Sequence, residues 1–82
     1  MPPLSMLTAG ESGRIAAINA DHHTISRLHS TGFSVQTQVQ MIQNAGKGPL
    51  IVFVRGTEIA LGRREADTIM ITCKNSLEDA EK

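Results

Sequence analysis

The clearest pattern in the chain is a pair of apolar runs set either side of the dipeptide Arg55-Gly56. Residues 50–54 read LIVFV and residues 58–61 read EIAL. Consecutive Val, Ile and Phe suit a pleated, half-buried surface. Gly tolerates positive φ, so Arg55-Gly56 can form the two central residues of a tight hairpin turn, with positive φ at Gly56. Residues 35–43 (VQTQVQMIQ) alternate most cleanly, with Val35, Val39 and Met41 facing one way and Gln36, Gln38 and Gln40 the other. That pattern predicts a half-exposed strand. Residues 14–20 (RIAAINA) predict a first strand whose apolar points, Ile15 and Ile18, are three apart, which calls for a bulge or bend. Residues 68–73 (TIMITC) predict a closing strand with Ile69, Ile71 and Cys73 on one face.

Between these strands the period changes. In residues 21–32 (DHHTISRLHSTG), Ile25, Leu28 and His29 fall on one helical face. Asp21 or Thr24 can cap the N-terminus and Gly32 can close the C-terminus. The prediction is a helix of two turns, packed on the sheet through Ile25, Leu28 and Phe33. Pro2-Pro3 resists regular structure, after which Leu4, Met6 and Leu7 are candidate anchors. Residues 44–49 (NAGKGP) read as a loop, and residues 62–67 as one helical turn.

Five short strands, one small helix and no internal repeat predict a mainly β fold: a small, partly open five-stranded barrel with the helix between the first two strands. Closure disposes of edges that so short a chain could not cover otherwise. Strand parity places Val52, Val54, Ile59, Leu61, Ile69 and Ile71 in the core. It sends Ile51 and Phe53 outward, where they form either an exposed contact face or a seat for the helix.

Length and charge narrow the range of functions. The chain has 82 residues, enough for one domain: residues 1–74, followed by a flexible acidic tail over residues 75–82. Eight basic residues balance eight acidic ones, which argues against nucleic acid as the partner. No run approaches the ~20 apolar residues that span a bilayer, and the opening residues do not resemble a signal peptide. A cytoplasmic protein without direct membrane insertion is expected.

Candidate chemistry is sparse. His22 and His29 lie about 10.5 Å apart along a helix, too far to share one zinc, and adjacent His22 and His23 diverge. His22 and His23 are thus weak metal candidates, suited to an adventitious divalent ion such as zinc, and no cofactor is required. Gly46-Lys47-Gly48 lacks the spacing of a phosphate loop. Cys73 has no patterned base beside it and reads as a small buried hydrophobe. No enzymatic constellation emerges. With no Trp and no Tyr, the chain lacks the aromatic groove that captures Pro-rich peptides. Arg63-Arg64 and Arg55 supply basic charge, and with Ile51 and Phe53 they are the candidate partner-binding residues.

The order of several short pieces resembles the FeoA family of bacterial ferrous-iron transport proteins. They are residues 4–7 before Gly10-Glu11-Ser12-Gly13, Ile15 with Ile18, Arg27-Leu28 before Gly32-Phe33, and Val39 with Met41. Pro49, Val54-Arg55-Gly56, Ile59-Ala60-Leu61, Glu65-Ala66 and Ile69 with Ile71 complete the set. The resemblance implies an SH3-like barrel and a non-enzymatic role, docking on and modulating the membrane GTPase that imports ferrous iron. Homodimer formation is a second use of the same face. An alternative is a metal-responsive regulatory domain like the one that closes some iron-dependent repressors. The chain departs from the family at Val35-Gln36, where Pro-Gly is usual, at Gly48, where an acid is common, and at the apolar Ile51 and Phe53.

Overall fold

In the computed structural model, which describes residues 1–72, the central hairpin forms as its sequence predicts. Strands β3 (Leu50–Val54) and β4 (Thr57–Leu61) pair antiparallel in unbroken register, from Val54 opposite Thr57 to Leu50 opposite Leu61. Arg55 has φ +53° and Gly56 φ +82°, the two positive values of a type I′ turn. This turn matches the natural twist of paired strands, which is why two residues suffice to reverse the chain.

Strand β2 (Gln38–Gln43) pairs with β3, and β1 (Ser12–Ile18) pairs with both β2 and β5 (Ile69–Thr72). The sheet order is β4-β3-β2-β1-β5, antiparallel throughout. The expected irregularity in β1 is present as a register shift between Ile15 and Ala17. A second shift, between Met41 and Gln43, leaves Ile42 exposed. Such shifts bend and twist a strand, which helps five short strands curl around one core.

Helix α1 (His22–Ser30) lies between β1 and β2, and Asp21 caps it by accepting a hydrogen bond from the Thr24 amide at 3.0 Å. Leu28 and Phe33 are buried and Ile25 is half-buried, so the helix is held by its C-terminal end. A short helix α2 (Arg63–Thr68) precedes β5. Inward residues of all five strands meet Leu4, Leu7, Leu28, Phe33 and Ala66 in a single core.

Four expectations change. The first strand runs from Ser12 to Ile18 rather than over residues 14–20, because Ser12 and Gly13 pair with Gln40 and Val39. Val35 does not share a face with Val39 and Met41: it is exposed and sits in a turn closed by the Thr37 amide on the Ser34 carbonyl at 3.1 Å. Met6 is exposed while Leu4 and Leu7 on either side are buried. Ile59 is half-buried against the core rather than within it. Cys73 and the expected tail lie outside the described residues.

The two sheet edges differ. Along β5, the Ile71 amide donates to the Pro2 carbonyl at 2.8 Å and Pro3 bridges to Met70. Strand β4 forms the other edge, beside the C-terminal end of α1.

Candidate functional site

Alternation along β3 buries Leu50, Val52 and Val54 and turns Ile51 and Phe53 to the other face. Phe53 is 40% exposed, so α1 does not cover it. Gln40 and Glu58 lie across from Phe53 on the two neighbouring strands, while Gln43 and Ala60 lie across from Ile51. The bulge in β2 adds exposed Ile42 to this side of the sheet. The result is an apolar patch of Ile42, Ile51, Phe53 and Ala60 with a polar border of Gln40, Gln43 and Glu58. Isolated apolar residues are ordinary on a surface, but a contiguous group with a polar rim has the composition of a contact site.

The three arginines do not gather around this patch. Arg55 occupies the hairpin turn at one end of β3 and β4, whereas Arg63 and Arg64 follow β4 at the other end. Four residue steps of strand separate the ends, about 13 Å. The Arg55 side chain lies against Gly32, where a Cβ would come within 3.2 Å of its Cδ. Gly32 has φ +106°, so glycine there serves both the end of the helix and the passage of Arg55. Arg64 is exposed.

Arg63 has a structural occupation that sequence reasoning missed. Its guanidinium donates to the Gly48 carbonyl at 3.2 Å, the Ser5 carbonyl at 3.4 Å and Asn44 Oδ1 at 2.6 Å. These partners lie 15 to 58 residues away in the chain, and no local spacing signals them. Ser5, also missed, donates its hydroxyl to Asp67.

A groove runs between the end of α1 and edge strand β4. One section, about 630 Å³, lies among His29, Thr31, Gly32, Arg55 and Thr57; the next, about 210 Å³, lies among Arg27, Leu28, Ala60 and Glu65. Ser30, Thr31 and Ile59 line both. At its far end Arg27 and Glu65 pair at 3.0 Å, and the other Glu65 oxygen accepts from the Gly62 amide at 3.3 Å. That carboxylate fastens one helix to the other.

His22 and His23 are exposed on the first turn of α1, and His29 is exposed near its last. Among the described residues no three of His, Cys, Asp and Glu come together in a way that could hold a metal ion. The Asp21 carboxyl is held below its ordinary value of 3.8, first by the Thr24 side chain and then by the Thr24 amide, with a smaller contribution from the charge of His23. No helix among the described residues is long and apolar enough to cross a membrane.

A small mainly β domain of SH3-like build, with an apolar patch on one outer face, is the class this architecture defines. The FeoA domain matches residues 3–73, and the chain belongs to the FeoA family. A Methanocaldococcus jannaschii protein named for Fe(2+) transport, as transport protein A, is 35% identical over 81 residues, covering 99% of this chain and 90% of that one. The Stenotrophomonas maltophilia FeoA, a prokaryotic SH3 domain protein solved in complex with zinc, superposes with a TM-score of 0.75 at 27% identity, covering 88% and 91% of the two chains. A manganese-dependent transcriptional repressor superposes with a TM-score of 0.81 at 22% identity; the match covers 88% of this chain and 41% of the repressor, and shows a shared fold.

Proposed function

We propose that this protein is a non-catalytic accessory component of ferrous-iron transport that docks on the cytosolic GTPase part of the iron transporter and modulates it. Membership of the FeoA family supports the transport role. The observation that supports docking is the exposed Phe53, with Ile42, Ile51 and Ala60 around it. A chain of this size has little apolar surface to spare from its core, so an aromatic ring left on the outer face is best accounted for by a partner. Arg55, at the adjoining turn, borders the same patch together with Ser12 and Gln40. Arg64 lies at the opposite end and would meet only a partner that spans the hairpin.

The test is calorimetric titration of the purified cytosolic GTPase domain with wild type and Phe53→Ser. Wild type should bind, and the variant should lose roughly tenfold or more in affinity while keeping its melting transition, as loss of an aromatic anchor does. Equal affinity for the two proteins places docking elsewhere, and no binding by wild type rejects the GTPase as partner. Should sedimentation instead find a wild-type dimer that Phe53→Ser converts to monomer, the patch is a self-association face.

The alternative role as a metal-responsive regulator shares the fold but gains no support from the histidines. His22, His23 and His29 do not converge with other ligands among the described residues. The same calorimetry with Fe(II) and Zn(II) separates the readings: tight one-to-one binding by the monomer, abolished in His22→Ala/His23→Ala, would favour the regulator.

A further inference from the structure

Arg14 lies on the outer side of β1, between Gln38 of β2 and Thr72 of β5. Its Nε is buried and has no hydrogen-bond partner among the described residues. No described carboxylate pairs with it, since the ion pair present joins Arg27 to Glu65. A buried donor without an acceptor carries an unrecovered desolvation cost, larger when the group is charged. Native proteins leave few such groups, so an acceptor from outside is the natural completion.

The surroundings fit one kind of acceptor. Arg14, Ile15, Ala16, Gln36 and Thr72 enclose an open depression of about 310 Å³. Gln36 is held there at φ +80°, a strained conformation for a residue with a side chain. Its amide donates to the Ile15 carbonyl at 2.8 Å, and the Ile15 amide donates to the Thr37 carbonyl at 2.9 Å. The strained turn is thus fastened to the strand that carries Arg14. Among the described residues, the Thr72 hydroxyl donates to the weak thioether acceptor Met1 Sδ at 3.5 Å. A guanidinium presenting Nε–H and an adjacent Nη–H matches the two oxygens of a carboxylate side-on, and amide and hydroxyl donors can serve the remaining lone pairs. Among the described residues no acid and no second cation lines the depression, so their charge suits one monoanion better than a phosphate dianion.

We propose that the depression bounded by Arg14, Gln36 and Thr72 binds a single carboxylate carried by another molecule, either a small organic acid or an acidic side chain of a bound protein. This site does not depend on docking through Phe53. The carboxylate completes the buried Nε–H and gives the strained Gln36 turn a function, since its side chain is carried to the rim of the depression.

The full chain, labelled with ¹⁵N, is titrated with propionate at constant ionic strength while the arginine Nε–H signals are followed. A Glu-containing tripeptide with blocked termini is titrated in parallel. Saturable movement of Arg14 Nε–H and of the Gln36 side-chain amide, with Arg55 and Arg64 unmoved, is the expected result. Saturation by propionate alone assigns the site to small acids, and saturation at lower concentration by the peptide assigns it to acidic side chains. Arg14→Lys should weaken binding about tenfold, the loss of one charge-assisted bond. Gln36→Gly relieves the strained turn, keeps the fold and should weaken binding severalfold. Three results overturn the proposal: no saturable shift, equal shifts at Arg55 and Arg64, or inorganic phosphate binding more tightly than propionate. It also fails if Arg14 Nε–H is already engaged in the free protein and is released by replacing Glu78, Asp79 and Glu81 with their amides, because the acceptor then belongs to this chain.

Discussion

Arg63 Nη2 donates to Asn44 Oδ1 across 2.6 Å, and the pair joins three segments remote in sequence. Asn44 Nδ2 donates onward to the carbonyls of Ser5 and Leu7 at 2.9 and 2.7 Å. The N-terminal turn, the β2–β3 loop and the start of α2 are fixed to one another there. Asn44→Ala leaves several part-buried groups without partners and should lower the unfolding free energy by about 1–3 kcal/mol. Arg63→Ala acts on the same knot, so the double variant should cost less than the sum of the single ones. Denaturant melts of the four proteins measure this, and strictly additive losses would show that the two side chains act separately.

Backbone conformation gives a pair of opposite predictions. Gly56 has φ +82° and open space where a Cβ would stand, so Gly56→Val meets backbone strain alone, about 1–2 kcal/mol. Gln36 already bears such strain at φ +80°, and Gln36→Gly should stabilise by up to about 1 kcal/mol after the added chain entropy is counted. A Gly56→Val protein as stable as wild type would move the turn; a destabilised Gln36→Gly would mean that the side chain holds its turn in place.

Val54 is fully buried, next to Val39 on β2 and opposite Thr57 on β4. Val54→Ala should cost about 1–3 kcal/mol by leaving a small void in a tightly filled centre. An unchanged denaturant midpoint would remove Val54 from the core.

The cap of α1 predicts a pH response. The Asp21 carboxyl has its folded-state value lowered, so the folded chain releases this proton more readily than the unfolded chain. Its contribution is therefore present above the unfolded value and is lost as pH falls through the lower folded value. Amide signals of Thr24 and Ile25 should report fraying of the first helical turn only below pH about 4. Asp21→Asn, which caps without titrating, should remove that acid limb. A midpoint for Asp21 at or above 3.8 would contradict the assignment.

What the sequence disclosed depended on the range of the interaction. The β3–β4 hairpin was legible because its signals, an apolar run and a turn glycine, are neighbours in the chain, and the parity of β3 turned Phe53 outward without deciding whether the helix would cover it. The bulge in β1 was legible from the spacing of Ile15 and Ile18. The start of β2 was not, because Val35-Gln36 makes its turn without the glycine that usually marks one and continues the alternation beyond the strand. The work of Arg63 was hidden for a different reason: its acceptors are carbonyls and an amide brought near only by folding. A count of basic residues therefore grouped it with Arg55 and Arg64, although strand length sets them at opposite ends. The buried Nε of Arg14 was equally invisible, since an alternating strand shows that a residue faces outward but not what its neighbours leave unpaired.

The unequal edges of the sheet limit how it can grow. Filament growth by strand addition needs two open borders, one to receive and one to offer. Here the border at β5 is occupied by the chain's own Pro2-Pro3 segment, whose ring nitrogens carry no hydrogen to extend the ladder. Among the described residues, β4 is the border left to accept a neighbour. Recruitment along that border consumes it, so any assembly built this way ends at two partners and cannot propagate.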